Sequence, residues 1–197
     1  MPKISAPTVA EHRRRQREAL LTAATGLLVQ GGVAAVTPAA VGAAAGLARP
    51  SVYQYFDSVA SILAAIIEDA FPRSNAQLAS ALAGLTDPLE VMDAYVRETL
   101  RQAAEGAHLP AAALAAAGLP DECLARLAEL HQEQMAPFLR ALQQLGVPEL
   151  MITARLLGGV LESAMAAVES GSDRDTVART AIAMIHAAVQ PAGLVHA

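Results

Sequence analysis

Apolar residues fall at helical spacing almost from the start of the chain. Leu20, Ala23, Ala24, Leu27 and Leu28 share one face of a helix. Ahead of them Thr8-Val9-Ala10-Glu11 has the capping-box pattern, in which two side chains satisfy free N–H groups at a helix start. Behind them Gly31-Gly32 predicts a stop, since glycine tolerates the left-handed conformation that ends helices. Thr37-Pro38 predicts the next start, a hydroxyl cap followed by a residue that needs no N–H. This short helix ends near Ala45-Gly46. A third begins around Ala48 to Pro50 and carries Ser-Val-Tyr-Gln-Tyr-Phe, residues 51–56. Asp57-Ser58 caps a fourth, expected to run to about Ala70 and to stop before Phe71-Pro72.

Beyond Pro72, turn residues cluster at 84–88, 106–110, 118–120, 146–148 and 170–173, which divides the remainder into five or six helices. The helix around 121–145 carries Leu124, His131, Phe138 and Leu145 at intervals of seven, with Leu127, Met135 and Leu142 on a neighbouring stripe. Pro137 in its interior removes a backbone bond and predicts a kink. Two long helices follow, over about 149–170 and 173–189. No stretch reads as a strand. Composition agrees: hydrophobic residues make up 54%, much of it alanine, and aromatic residues only 3%. The expected fold class is all-α.

Charge divides the chain. Residues 1–58 carry a net +3 and the remainder −8. A basic N-terminal part on an acidic body suggests that the two parts meet different partners. Residues 19–48 hold no charged side chain, but Gln30, Gly31-Gly32 and Pro38 interrupt them, so no membrane span is expected. The N-terminus does not read as a secretory signal. The lone Cys123 permits no intrachain disulfide, fits a reducing compartment, and reads most simply as a small buried hydrophobe. A soluble, cytoplasmic protein is expected.

The five histidines, at 12, 108, 131, 186 and 196, are scattered, and no close His/Cys cluster or nucleotide-binding glycine loop is visible. Nothing in the order of Ser, His and acidic residues suggests a catalytic triad. No metal, no cofactor and no enzymatic activity are expected.

Three of the six aromatic residues, Tyr53, Tyr55 and Phe56, lie in one run. Two short helices joined at Ala45-Gly46-Leu47 and preceded by a basic helix have the layout of a helix-turn-helix, whose second helix enters the DNA major groove. Residues 13–70 resemble the N-terminal domain of the TetR/AcrR family of transcriptional regulators. The residues that carry the resemblance are Val36-Thr37, Val41, Ala45-Gly46-Leu47, Val52-Tyr53-Gln54-Tyr55-Phe56, Asp57 and Ser58. It implies a three-helix DNA-binding domain over 9–58 and a helical ligand-binding and dimerisation domain over 59–190, connected by the helix at 59–70.

Phe56 is expected in the core. The resemblance supports Tyr53 and Tyr55 as DNA contacts. Ser51 and Gln54 are candidates for base edges and Arg49 for a base or a phosphate. Thr37 joins this set. Arg13, Arg14, Arg15 and Arg17 are either phosphate contacts or a solvated helix face. Two positions depart from the family's pattern: Ala48 stands where Ser or Thr usually starts the recognition helix, and Val59 where Lys often follows the capping Ser.

For the rest of the chain the resemblance implies roles only coarsely. His131, Met135 and Phe138, with the weaker candidates Met92, Tyr95 and His108, are either core or the wall of a ligand pocket. Leu156, Gly158, Gly159 and Ser163 give the first of the two long helices a surface that a partner helix could approach, and the resemblance implies that these two helices pair with their copies. The expected function is a homodimeric repressor of double-stranded DNA, released from a palindromic operator by a small apolar or amphipathic ligand. The alternative is a helical small-molecule-binding protein whose DNA binding is weak or lost.

Overall fold

The computed structural model describes residues 6–107, 109–115 and 121–189, and these form helices and turns with no strand among them. In chain order the helices are α1 (Ala6–Ala35), α2 (Pro38–Ala44), α3 (Arg49–Val52), α4 (Val59–Leu82), α5 (Pro88–Ala104), α6 (Leu109–Ala115), α7 (Asp121–Gln144), α8 (Leu150–Glu169) and α9 (Arg174–Val189). The all-α expectation holds. Contacts divide the described chain into two units: residues up to Ala70 with Leu109–Ala128, and Phe71 to 107 with 129–189.

Most helix ends sit where glycine, proline and short polar residues put them. The backbone of α1 breaks at Gly32 (φ 68°), and one further turn ends at Ala35. Thr37 caps α2 by accepting the Ala40 N–H at 3.1 Å. Asp87 caps α5 by accepting from Leu89 and Glu90. Ser58 and Ser61 cap α4 reciprocally, each hydroxyl accepting the other's N–H at 3.1 Å.

Four expectations need correction. Helix α3 ends at Val52, so Tyr53, Gln54 and Tyr55 stand in the turn after it and not on the helix. Helix α1 begins by Ala6, so Thr8 lies inside it and does not cap it. Helix α4 does not stop before Phe71-Pro72 but continues through Pro72 to Leu82. Burial of Phe71 and Leu78 offsets the lost backbone bond, since a large apolar side chain gains about 1.5–3 kcal/mol on full burial. On α7 the buried positions are Cys123, Leu130, Phe138, Ala141 and Leu142, while Leu124 and His131 are exposed. The inward stripe is thus turned by one residue over the first half of the helix, because Cys123 and Leu130 take the core positions that Leu124 and His131 were expected to hold.

In unit 1 the core is Leu20, Leu21, Ala24 and Leu28 of α1, Val41 of α2, Val52 and Phe56 around α3, and Ile62, Leu63, Ile66 and Ile67 of α4. In unit 2 it is built from inward stripes of three helices. Met92, Tyr95, Val96 and Leu100 come from α5, Leu157, Leu161 and Val168 from α8, and Ile182, Ile185 and Val189 from α9. Phe138 and Leu142 of α7 close it. By length and composition Val9–Ala35 and Leu150–Glu169 are apolar enough to cross a membrane, but the first is broken at Gly32 and the second places its inward stripe in this core.

Candidate nucleic-acid interface

The geometry of the α2–α3 pair begins with two glycines. Gly46 takes φ 71°, which lets the chain turn directly after α2. Gly42 is buried, and a Cβ there would stand 2.8 Å from the Leu47 carbonyl oxygen and 3.0 Å from Val52 Cγ2. Absence of a side chain at 42 therefore allows the turn and α3 to close onto α2. Leu47 N–H donates to the Gly42 carbonyl at 2.8 Å and fixes this approach. Beneath it Val41 and Val52 are fully buried and Phe56 nearly so, as expected for Phe56.

With Val52 and Phe56 held inward, the side chains between them turn out. Tyr53 and Gln54 are exposed, Arg49 is exposed at the start of α3, and Ser51 and Tyr55 are half-buried. Arg49 Nη2 donates to Tyr53 Oη at 3.4 Å, and its guanidinium lies 6.0 Å from the ring centre. The phenol oxygen beside it holds the Arg49 pKa above its ordinary value. Ala48 precedes α3 in extended backbone and offers no side-chain cap.

Helix α1 lays part of its basic run over the same rings. Arg13 stands 5.9 Å from the Tyr55 ring centre and Arg17 5.4 Å from that of Phe56, both within cation–π range. Arg14 and Arg15 are engaged otherwise. Arg14 pairs with Glu11 at 2.8 Å and Glu18 at 2.7 Å, and Arg15 pairs with Glu11 at 3.0 Å. Arg14, and after it Arg15, holds the Glu11 carboxyl below its usual pKa. The four arginines are thus not equivalent: two meet carboxylates on their own helix, and two flank α3.

One contact has almost no signal in the sequence. Tyr55 Oη donates to Gln16 Oε1 and ties the turn after α3 to α1 across 39 residues of sequence. The only local hint is an amide standing between Arg15 and Arg17. Since that hydroxyl has a protein partner, Tyr55 is a link in the scaffold as well as a residue at the face.

The residues considered for a pocket in unit 2 separate into two groups. Met92, Tyr95 and Phe138 are buried in the core, with the Tyr95 and Phe138 ring centres 5.2 Å apart. Half-buried Met135 accepts the Tyr95 hydroxyl at its sulfur, 3.2 Å away, and burial pushes the Tyr95 pKa up. His131 is exposed and does not join them. His108 lies outside the described residues. Close by in the fold, Gln102 is buried and accepts from the Ser74 hydroxyl, while Gln134 donates to Ser74 Oγ at 3.0 Å. Of the residues considered for a dimer surface, Leu156, Gly159 and Ser163 are exposed and Gly158 is half-buried.

Known proteins resemble the chain both in sequence and in fold. Residues 20–66 match the family model described as bacterial regulatory proteins, tetR family. No curated protein matches the sequence. Among solved structures, that of superantigen PfiT is 23% identical, with a TM-score of 0.73 over 86% of this chain and 95% of that one. A putative TetR-family transcriptional regulator from Rhodococcus sp. is 15% identical, with a TM-score of 0.75 over 89% and 99% of the two chains. AibR, solved in complex with isovaleryl coenzyme A and operator DNA, is 15% identical, with a TM-score of 0.73 over 86% and 97%. At these identities the likeness shows the fold. Residues 20–66 are thus similar to the tetR family of bacterial regulatory proteins, and the chain as a whole shares the fold of the solved TetR-family regulator.

Proposed function

We propose that the protein is a homodimeric, DNA-binding transcriptional repressor of the cytoplasm, released from a palindromic operator by a small apolar or amphipathic ligand. The observation that carries this reading is the outward face of α3 and of the turn that follows it. Arg49, Tyr53 and Gln54 stand exposed over a core of Val41, Val52 and Phe56, with Arg13 and Arg17 beside them. Helix α3 and the turn after it would enter the major groove with Ser51 and Gln54 toward base edges, while Arg13, Arg17, Arg49 and Tyr53 meet phosphates. Arg14, Thr37 and Tyr55 lie at the margin of that footprint.

Dimerisation is supported by a face of α8 and α9 that its own unit leaves bare. Ile152 and Leu156 are 59% and 68% exposed, Met184 is 54% exposed, and Gly159 has nothing within 4 Å of where a Cβ would stand. A two-fold dimer presents two recognition helices to two half-sites, which is why a palindrome is expected. Release needs no more than a ligand that binds one spacing of the two helices better than the other. AibR, with both a coenzyme A thioester and operator DNA, supports a ligand role for the helical body.

Selection of bound duplexes from a random pool tests the proposal, with a palindrome as the expected outcome. Enrichment of no sequence, with the protein folded, would overturn it. Two observations favour the alternative, a helical ligand-binding protein without an operator. Ala48 leaves α3 uncapped, and the superantigen PfiT shares the fold under a different description.

A further inference from the structure

Two surface depressions among the described residues of unit 2 differ in charge. One, of about 600 Å³, is ringed by arginines, but each of three meets a carboxylate. Arg97 lies 3.8 Å from Asp93, Arg101 2.7 Å from Glu98, and Arg174 3.0 Å from Asp175. The fourth arginine of the lining, Arg179, donates to Thr176 Oγ1 at 3.0 Å, so an anion there would meet arginines already engaged, three of them by carboxylates. The other, of about 480 Å³, lies among α4, the start of α5 and the second half of α7. Leu82, Leu85 and Val91 give it an apolar floor, and Arg140 and Gln144, one turn apart on α7, stand at its rim. No acidic side chain lines it, and Arg140 has no ion-pair partner among the described residues. This volume lies within the range of small-ligand clefts.

We infer that this depression binds a small amphiphile ending in a carboxylate, its apolar part on Leu82, Leu85 and Val91 and its head on Arg140 and Gln144. One unpaired guanidinium matches one negative charge. Its planar fork can hold both carboxylate oxygens, and the Gln144 amide is a second donor within reach of the same head. An apolar floor without a cation would accept alcohols and hydrocarbons equally well. The cation makes the site selective, because the head is desolvated only where a charge replaces its water. The assignment rests on the reading of the chain as a ligand-responsive regulator and gives that ligand a class. It places the ligand on a face of α7 different from the one that carries Phe138.

Octanoate and 1-octanol, which share a chain and differ in head, are suitable probes for calorimetric titration of the full chain. Octanoate is expected to bind about tenfold more tightly than octanol, the usual worth of a hydrogen bond to a charged group. Arg140→Gln should remove that preference and Arg140→Lys should keep part of it. Ala79→Glu, at an exposed wall position, should weaken octanoate more than octanol. Both positions are on the surface, so melting curves close to wild type are expected. A preference for octanoate that survives Arg140→Gln overturns the inference. So does failure of octanoate to bind the wild type while duplex selection yields a palindrome, and in that case the regulator reading stands. Octanoate binding that tracks Arg140 in a protein that selects no duplex supports the site and overturns the regulator instead.

Discussion

In unit 1 the exposed side chains at positions 13, 17, 49, 53 and 54 are three cations, a phenol and an amide. In unit 2 the conspicuous exposed side chains, at 151, 152, 156 and 184, are all large and apolar. Both sets lie on or directly beside helices whose inner faces are well buried, so neither results from poor packing. A cationic face on a charged partner gains from counterion release and weakens with salt. An apolar face gains from burial, which salt does not screen. The two surfaces should therefore answer to ionic strength in opposite ways, although one chain carries both.

This contrast gives the largest expected effect. Six arginines in a dimer, from Arg13, Arg17 and Arg49 of each copy, would neutralise about six phosphates and lower duplex affinity by about 10³-fold between roughly 50 and 200 mM salt. Sedimentation over the same range should show a dimer that persists. If the dimer dissociates with salt while duplex binding stays flat, the two surfaces have been assigned the wrong way round.

A smaller effect isolates the apolar face. Gly159 is exposed with open space around it, so Gly159→Leu can be accommodated within one subunit. At a close two-fold approach of helices the same leucine enters twice, and overpacking of this kind costs about 1–3 kcal/mol for each insertion. Helicity should hold or rise, since glycine is a poor helix former. Loss of dimer with intact circular dichroism supports the α8–α9 interface, and an unchanged dimer rules it out.

On the cationic face, Gln54 and Tyr55 separate reading from scaffolding. Gln54→Ala should relax preference at one base position by about 1–3 kcal/mol if its contact is bidentate, leaving other positions alone. Tyr55→Phe removes the hydroxyl that Gln16 accepts. It should cost about 1 kcal/mol of stability and weaken all duplexes alike. Gln16→Leu should then reproduce the loss, and a wild-type melting curve for Gln16→Leu would show that the Tyr55 hydroxyl acts on DNA alone.

The same division marks what the sequence could reveal. The helix-turn-helix was legible because its signals are local: Thr37-Pro38, Gly46, the tyrosines and Ser58 all act within a few residues of where they stand. Legible too were the ends of α8 and α9, set by Pro148 and by Gly171 to Asp173. Less so were features decided at a distance. Pro72 reads as a stop, yet α4 passes through it because Phe71 and Leu78 are buried. On α7, Leu124 and His131 share the sevenfold spacing of Phe138, but Cys123 and Leu130 are the residues that face inward. A stripe at intervals of seven does not say which of two adjacent stripes the neighbouring helices will cover. The Gln16–Tyr55 bond and the unpaired Arg140 likewise depend on partners that no local pattern names.

The smallest expected effect concerns the start of α3. Ala48 occupies the cap position in extended backbone, with φ −70° and ψ 145°, as a capping residue should, but without an acceptor. Ala48→Ser supplies one. Its gain is limited by the first turn of the helix. Pro50 has no N–H, so among the second and third helical residues only the Ser51 N–H can use the new oxygen. That N–H already donates to the Ala48 carbonyl at 2.8 Å. The gain should therefore lie at the low end for caps, about 0.5 kcal/mol. Thr37→Ala removes a cap from an N–H with no such second acceptor, and should lose about 1 kcal/mol. Urea unfolding followed by tyrosine fluorescence suits both variants, because two of the three tyrosines lie in this unit. If Ala48→Ser gains as much as Thr37→Ala loses, the backbone bond at Ser51 is weaker than its length implies. If instead Ala48→Ser leaves stability unchanged but raises duplex affinity, the hydroxyl at 48 meets DNA directly, and the cationic face extends one residue further toward α2 than Arg49.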